Sequence, residues 1–155
     1  MTVVKRFPSS FGGNAGGWNA ISNLSADDGL EGGCSSALGN YEIYGYDFGF
    51  NIPQGSMINS IKMMWEGYSI YGSTGECSCQ LAIGGTKIGT KQNVSSPSTS
   101  LTLHSFDTTI VAAENLNSSD FRMYLSAGYP YMMFDYMAVE VDYTPFDYKP
   151  FGQII

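Results

Sequence analysis

A single imidazole limits the nucleophilic chemistry open to this chain. His104 is the one histidine in the sequence, so any Ser/His/Asp or Cys/His relay must be built around it. It stands in the Ser/Thr-rich stretch Leu101-Thr102-Leu103-His104-Ser105, with no nucleophile motif beside it, and reads as a surface or capped residue of a strand. The fourteen Asp and Glu residues offer many acidic pairs, but a glycosidase pair is defined by separation in space rather than along the chain. Cys34, Cys77 and Cys79 are an odd number and cannot complete a disulfide framework. Cys77 and Cys79 stand two apart on one strand face, too close for a relaxed bridge along extended backbone. A zinc centre needs four ligands at spacings this chain lacks, so buried thiols acting as small apolar side chains fit better. Asp27-Asp28-Gly29 lacks the alternating oxygen ligands of a calcium loop and reads as a polar turn. No catalytic residue, metal site or cofactor is expected.

The elements that would position these residues are strands. Tyr41 to Tyr46 is dense in strand-forming aromatics, and Phe48 and Phe50 share one face beyond it, before Pro53 removes an amide donor. From about Ile58 to Ile70, Ile61, Met63 and Trp65 alternate with Lys62, Met64 and Glu66. Cys77, Cys79, Leu81 and Ile83 point one way, and Gly84-Gly85 then turns the chain into Thr86 to Thr90. Val94 to Ser100 reads as a Ser/Pro loop, and Leu101 to Ile110 as a strand with Phe106, Thr108 and Ile110 on one side. Ala112 to Ser119 suits one helical turn. Phe121, Met123 and Leu125 make a further strand face, and Met137, Val139, Val141 and Tyr143 the last. Seven or eight short strands without a 3.6-residue stripe predict an all-β antiparallel β-sandwich or jelly roll. It should span residues 17–144, between an extended N-terminal arm at 1–16 and a C-terminal arm at 145–155.

Composition narrows the partners. At 155 residues and 16.8 kDa the chain has room for one core. Only 14% of residues are charged, against a usual share of about 25%. The formal charge of −7, with seven basic side chains spread along the sequence, excludes a grip on a nucleic-acid backbone. No apolar run is long enough to span a membrane. Met1 to Pro8 lacks the apolar stretch of a secretory signal. The Gly, Ser, Thr and Tyr-rich texture is nevertheless that of an external surface. Assembly into a virus particle inside the host cytoplasm reconciles the two. The uncharged run Tyr129-Pro130-Tyr131-Met132-Met133-Phe134 reads as a loop covered by another subunit, because aromatics and Met are enriched at interfaces. The expected contact residues are Tyr129, Tyr131, Met132 and Met133, with Phe7 and Phe11 in the first arm and Phe146, Tyr148 and Phe151 in the last.

Four segments carry a family resemblance. Trp18-Asn19-Ala20 with Asp27-Asp28-Gly29 comes first, then Phe48-Gly49-Phe50-Asn51-Ile52-Pro53-Gln54-Gly55 with Ile58 and Ile61. Leu116-Asn117-Ser118-Ser119-Asp120-Phe121 follows, and Asp135-Tyr136-Met137-Ala138-Val139-Glu140-Val141-Asp142-Tyr143-Thr144 closes the series. In this order, over roughly residues 17–144, they resemble a β-sandwich module of tailed-bacteriophage virion proteins. The resemblance implies structural residues and brings no catalytic ones.

The expected function is therefore that of a non-enzymatic virion protein. The leading form is a capsid decoration (cement) protein, a homotrimer bridging major capsid subunits. A tail, neck or fibre-associated subunit is the alternative within that class. A carbohydrate-binding module is the alternative outside it, with exposed Tyr and Trp18 as sugar platforms; Trp65 reads as core.

Overall fold

The structure, a computed structural model, describes residues 1–34, 41–70, 76–95, 97–127 and 131–146. Eleven strands appear in chain order: β1 Thr2–Arg6, β2 Ser10–Gly13, β3 Trp18–Asn19, β4 Gly32–Cys34, β5 Tyr41–Tyr46, β6 Met57–Ser69, β7 Glu76–Ile83, β8 Thr86–Ser95, β9 Thr102–Asp107, β10 Phe121–Ala127 and β11 Met132–Thr144. Short 3-10 turns flank β3, and a single helical turn, α1, spans Ala113–Leu116. One sheet runs β3-β4-β11-β6-β9, with β1 also paired to β11. The other runs β2-β5-β10-β7-β8. Every pairing is antiparallel, and the two sheets enclose one core, so the molecule is the β-sandwich that the alternation predicts.

The inward faces are the apolar faces of the sequence pattern. Ile61, Met63 and Trp65 of β6 meet Met137, Val139 and Val141 of β11 in one sheet. Met123 and Leu125 of β10 with Cys79 and Leu81 of β7 oppose them from the other. Phe48, Phe50 and Phe121 close one end of the core with ring centroids 5.6 to 6.1 Å apart. The three thiols are buried, as small apolar side chains in this core. Gly84 and Gly85, at φ 57° and 83°, turn β7 into β8 through the doubly left-handed geometry that L side chains resist.

Several boundaries differ from the expectation. Residues 1–16 are not a free arm. β1 pairs with β11 from Thr2↔Tyr143 to Arg6↔Val139, and β2 pairs with β5 from Ser10↔Tyr46 to Gly13↔Ile43. Val4 and Phe11 pack on the core, so burial of two short apolar faces outweighs the freedom of the glycines around them. The segment thereby stitches the two sheets together. β8 continues to Ser95, into the first two residues of the Val94–Ser100 stretch expected as a loop, because Val94 and Ser95 find partners in Cys77 and Glu76 on β7. β9 stops at Asp107, leaving Ile110 exposed rather than on a strand face. β11 begins at Met132, inside the stretch expected as a loop.

Candidate functional site

The predicted contact residues are scattered. Met132 is fully buried, and the reason is its register: it opposes Cys34 on β4 and Ser69 on β6, facing the core. Phe134 is equally buried, with Trp18 stacked at 5.4 Å and Trp65 edge-on at 5.4 Å. The apolar character of this run thus serves the protein's own interior, and the expectation that another subunit covers Met132 is corrected. Tyr131 and Met133 are half-buried beside it. Phe7 is half-buried edge-on to Tyr136 at 5.6 Å, and Phe11 rests against the core. Phe146 is exposed, while Tyr129, Tyr148 and Phe151 lie outside the described residues.

Phe146 has company that the sequence pattern did not reveal. Met1 (88% exposed), Val3 (58%), Met57 (63%) and Phe146 (61%) all emerge where β1, β6 and β11 run out together. The pairings Thr2↔Tyr143, Tyr143↔Ile58 and Thr144↔Met57 bring these positions to one end of the sheet. The ring of Phe146 lies against Gly55, at the bend into β6.

An acidic notch sits in the same sheet, between the ends of β4 and β1 on the edge of β11. Asp135 is the extra residue of a bulge: Phe134 opposes Gly67 and Tyr136 opposes Glu66, leaving Asp135 unpaired in the ladder. Its Oδ1 instead accepts from the Gly29 amide at 3.0 Å, while Asp28 Oδ1 accepts from Leu30. Carboxylate oxygens of Asp27, Glu66 and Asp135 all lie within 4.8 Å of one another. An all-oxygen set of this kind suits a hard cation. The chain also supplies a charge of its own, since Lys5 Nζ is 3.8 Å from Asp27 and 4.2 Å from the Tyr136 ring centroid. Desolvation, followed by the neighbouring Asp27 and Asp135 charges, raises the Glu66 pKa, and Lys5 opposes the rise. Desolvation likewise raises that of Asp135, partly offset by the Gly29 amide. The Asp27–Gly29 turn was legible as a polar turn, but its union with residues 39 and 108 positions further on was not.

His104 is neither a free surface residue nor capped. Its ring stacks on Trp65 at 4.0 Å and lies parallel to Phe106 at 6.4 Å, on the half-buried side of β9. Burial lowers its pKa, which favours the neutral imidazole. The expectation failed because β9 is an edge strand on which Leu103 points outward and is exposed, while His104 and Phe106 take the inner side. Burial also pushes the Cys79 thiol up to about 12 and Cys77 well above its ordinary value, which leaves neither a nucleophile.

The outer face of the five-stranded sheet is the most differentiated polar surface described. β5 presents Glu42, Tyr44 and Tyr46, and β10 presents Arg122 and Tyr124 between them and β7. Tyr44 lies 5.9 Å from Tyr46 and 5.1 Å from Tyr124. The Arg122 guanidinium stands 4.6 Å from the Tyr44 centroid, and Lys87 Nζ 4.7 Å from that of Tyr124. Lys87 also bonds Glu42 at 2.6 Å. Tyr44 can lie down across β2 only because residue 12 is glycine: a Cβ there would meet the ring at 2.6 Å. Beside Tyr124 the β7–β8 ladder breaks, with three residues, Gly89 to Lys91, opposite Gln80 alone. Gln80 Nε2 donates to the Gly89 carbonyl at 2.8 Å, and the arch leaves a cleft of about 50 Å³ lined by Glu42, Gln80, Lys87, Lys91 and Tyr124.

No family model matches the chain, and no curated protein matches it in sequence. Solved structures do resemble it. An arabinose-bound GH51 α-L-arabinofuranosidase aligns with a TM-score of 0.51 at 12% identity over 88% of this chain, which spans 25% of that enzyme's length. The C-terminal CBM6 of LamC, a laminarinase from Zobellia galactanivorans, gives a TM-score of 0.49 at 12% identity over 90% of this chain and 98% of its own. The Stig cyclase Fisc from Fischerella sp. TAU gives 0.43 at 11% identity, over 91% and 98%. At such identities the likeness is one of fold.

Proposed function

We propose that this protein is a non-enzymatic structural component of a tailed-bacteriophage particle, a decoration protein that bridges major capsid subunits on the head. The observation that carries the reading is the apolar end formed by Met1, Val3, Met57 and Phe146. Large side chains exposed together at one tip of a sandwich mark a contact surface rather than the scattered apolar exposure of any monomer. The tip lies where the C-terminal segment leaves β11, so the segment and the tip can engage one neighbour together.

The segments that resemble the virion module support the reading through what they do here. Asn117 accepts from the Ile52 amide at 2.9 Å and donates to the Ile52 carbonyl at 2.8 Å, clamping the third segment to the second. Gly29 donates to Asp135 and Trp18 stacks on Phe134, which fastens the first segment to the start of the fourth. These contacts join the segments in two pairs. Carbohydrate binding through Trp18 loses its platform, because that ring is buried on Phe134.

The test is occupancy on particles. Val3→Asp combined with Phe146→Asp should leave the sandwich folded by circular dichroism and abolish binding to undecorated heads, and deletion of 145–155 should do the same. Native mass measurement should read three copies in solution. Full occupancy by the doubly substituted protein would overturn the seat assigned to this tip. A few copies confined to the tail would favour the tail-associated alternative.

A further inference from the structure

The polar outer face of the five-stranded sheet has no part in seating the protein through its apolar tip, and its chemistry is specific. Three of the seven basic side chains in a chain of net charge −7 gather there: Lys87, Lys91 and Arg122. The one carboxylate among the side chains lining its cleft, Glu42, is already bonded to Lys87. Lys91 has no carboxylate within 4.0 Å among the described residues and lines the cleft opened by the β8 arch. Alongside lies a row of half-buried tyrosines, Tyr46, Tyr44 and Tyr124, set at 5.9 and 5.1 Å spacing.

We propose that this face binds an acidic polysaccharide, a chain bearing uronate rings. The cleft, about 50 Å³, is far smaller than the roughly 300 Å³ and upward of a pocket that encloses a small molecule. A ligand must therefore lie along the sheet and lower a single substituent into it. The lining fits a carboxylate: Lys91 supplies a positive charge not taken by Glu42, which bonds Lys87, and the Gln80 amide lines the same cleft. The tyrosines supply what a bare charge site would not, a row of phenol hydroxyls on half-buried rings, suited to hydrogen bonding with the hydroxyl groups of a sugar. Arg122 and Lys87 over the Tyr44 and Tyr124 rings hold that platform in place. An overall acidic protein repels polyanions, so retention of one requires this local reversal of sign.

Electrophoresis of the whole protein through gels containing polygalacturonate, with laminarin gels as the neutral control, tests the assignment. The expected result is retardation by polygalacturonate and none by laminarin. Tyr124→Ala should weaken the interaction about tenfold. Lys91→Glu, at an exposed position on β8, should abolish it, and Lys91→Arg should restore it. In competition, polyglutamate matched in charge should displace the protein at least tenfold less well than polygalacturonate, because it lacks sugar hydroxyls to bond the tyrosine row. Absence of retardation by polygalacturonate overturns the proposal, as does equal competition by polyglutamate or an unaltered Lys91→Glu protein. If Tyr124→Ala does not melt cooperatively, the Lys91 pair alone decides.

Discussion

Removal of the Asn117 side chain should loosen the corner where the chain passes from the Phe48–Phe50 segment into β6. Asn117 follows α1 and makes two bonds to one residue, accepting from the Ile52 amide and donating to its carbonyl. Ile52 is buried, so Asn117→Ala leaves an amide and a carbonyl without protein partners at the core margin. Each bond contributes about 1 kcal/mol net, and a stranded group costs about 1–3 kcal/mol where water cannot reach it. Asn117 itself is exposed, so water can reach part of the gap, which keeps the expected loss near 2 kcal/mol. For a domain of this size that corresponds to a fall in Tm of about 4–8 °C. Asn117→Asp separates the two bonds: it retains the acceptor for the amide and turns a carboxylate toward the carbonyl, so it should recover little of the loss. Urea unfolding at neutral pH, with the slope checked for constancy, reads both values. A loss below about 0.5 kcal/mol for Asn117→Ala, or full recovery by aspartate, would refute the clamp.

Three further outcomes are expected. Glu66 and Asp135 have folded-state pKa values raised above 4.5 and 3.8, so the native state holds their protons more tightly than the unfolded chain does. Their stabilising protonation is complete below those values and is lost as pH rises through the raised ones; melts between pH 3 and 7 should show it, and Asp135→Asn should flatten that limb of the curve. The three thiols should resist a thiol-specific disulfide reagent at pH 8 in the native protein, given the burial of all three and a Cys79 pKa of about 12, and all three should react once denatured. Trp65→Ala should cost about 3–5 kcal/mol, since the ring is fully buried between His104 and Phe134, whereas Trp65→Phe should cost visibly less in the same denaturant titration.

The parts of this molecule legible in one dimension are those governed by a neighbour two residues away. Alternation on β6, β7, β10 and β11 identified Trp65, Cys79, Met123 and Val139 as interior, because a strand sends successive side chains to opposite faces whatever it pairs with. Gly84-Gly85 announced its hairpin for an equally local reason, the left-handed backbone of the turn. Residues 2–13 misled because Gly12, Gly13 and Pro8 look like punctuation. Their strands exist only through β11 and β5, with partners at least thirty residues away in the nearer case, from Gly13↔Ile43 to Ser10↔Tyr46.

Sites obeyed the same division. The sequence supplied the ingredients, an excess of tyrosine, few cations and a turn of aspartates, and it determined that opposite faces of each strand would differ in polarity. Pairing order decided which strands lie side by side. It alone set Tyr44 next to Tyr124, gathered three of seven cations on one face, and brought Asp27, Glu66 and Asp135 within reach of one another. Bulges at Asp135 and opposite Gln80 settled the rest, since an extra residue re-aims side chains in a way that no periodicity records. Alternation is a property of the backbone, whereas adjacency across a sheet is fixed by the free energy of the whole core.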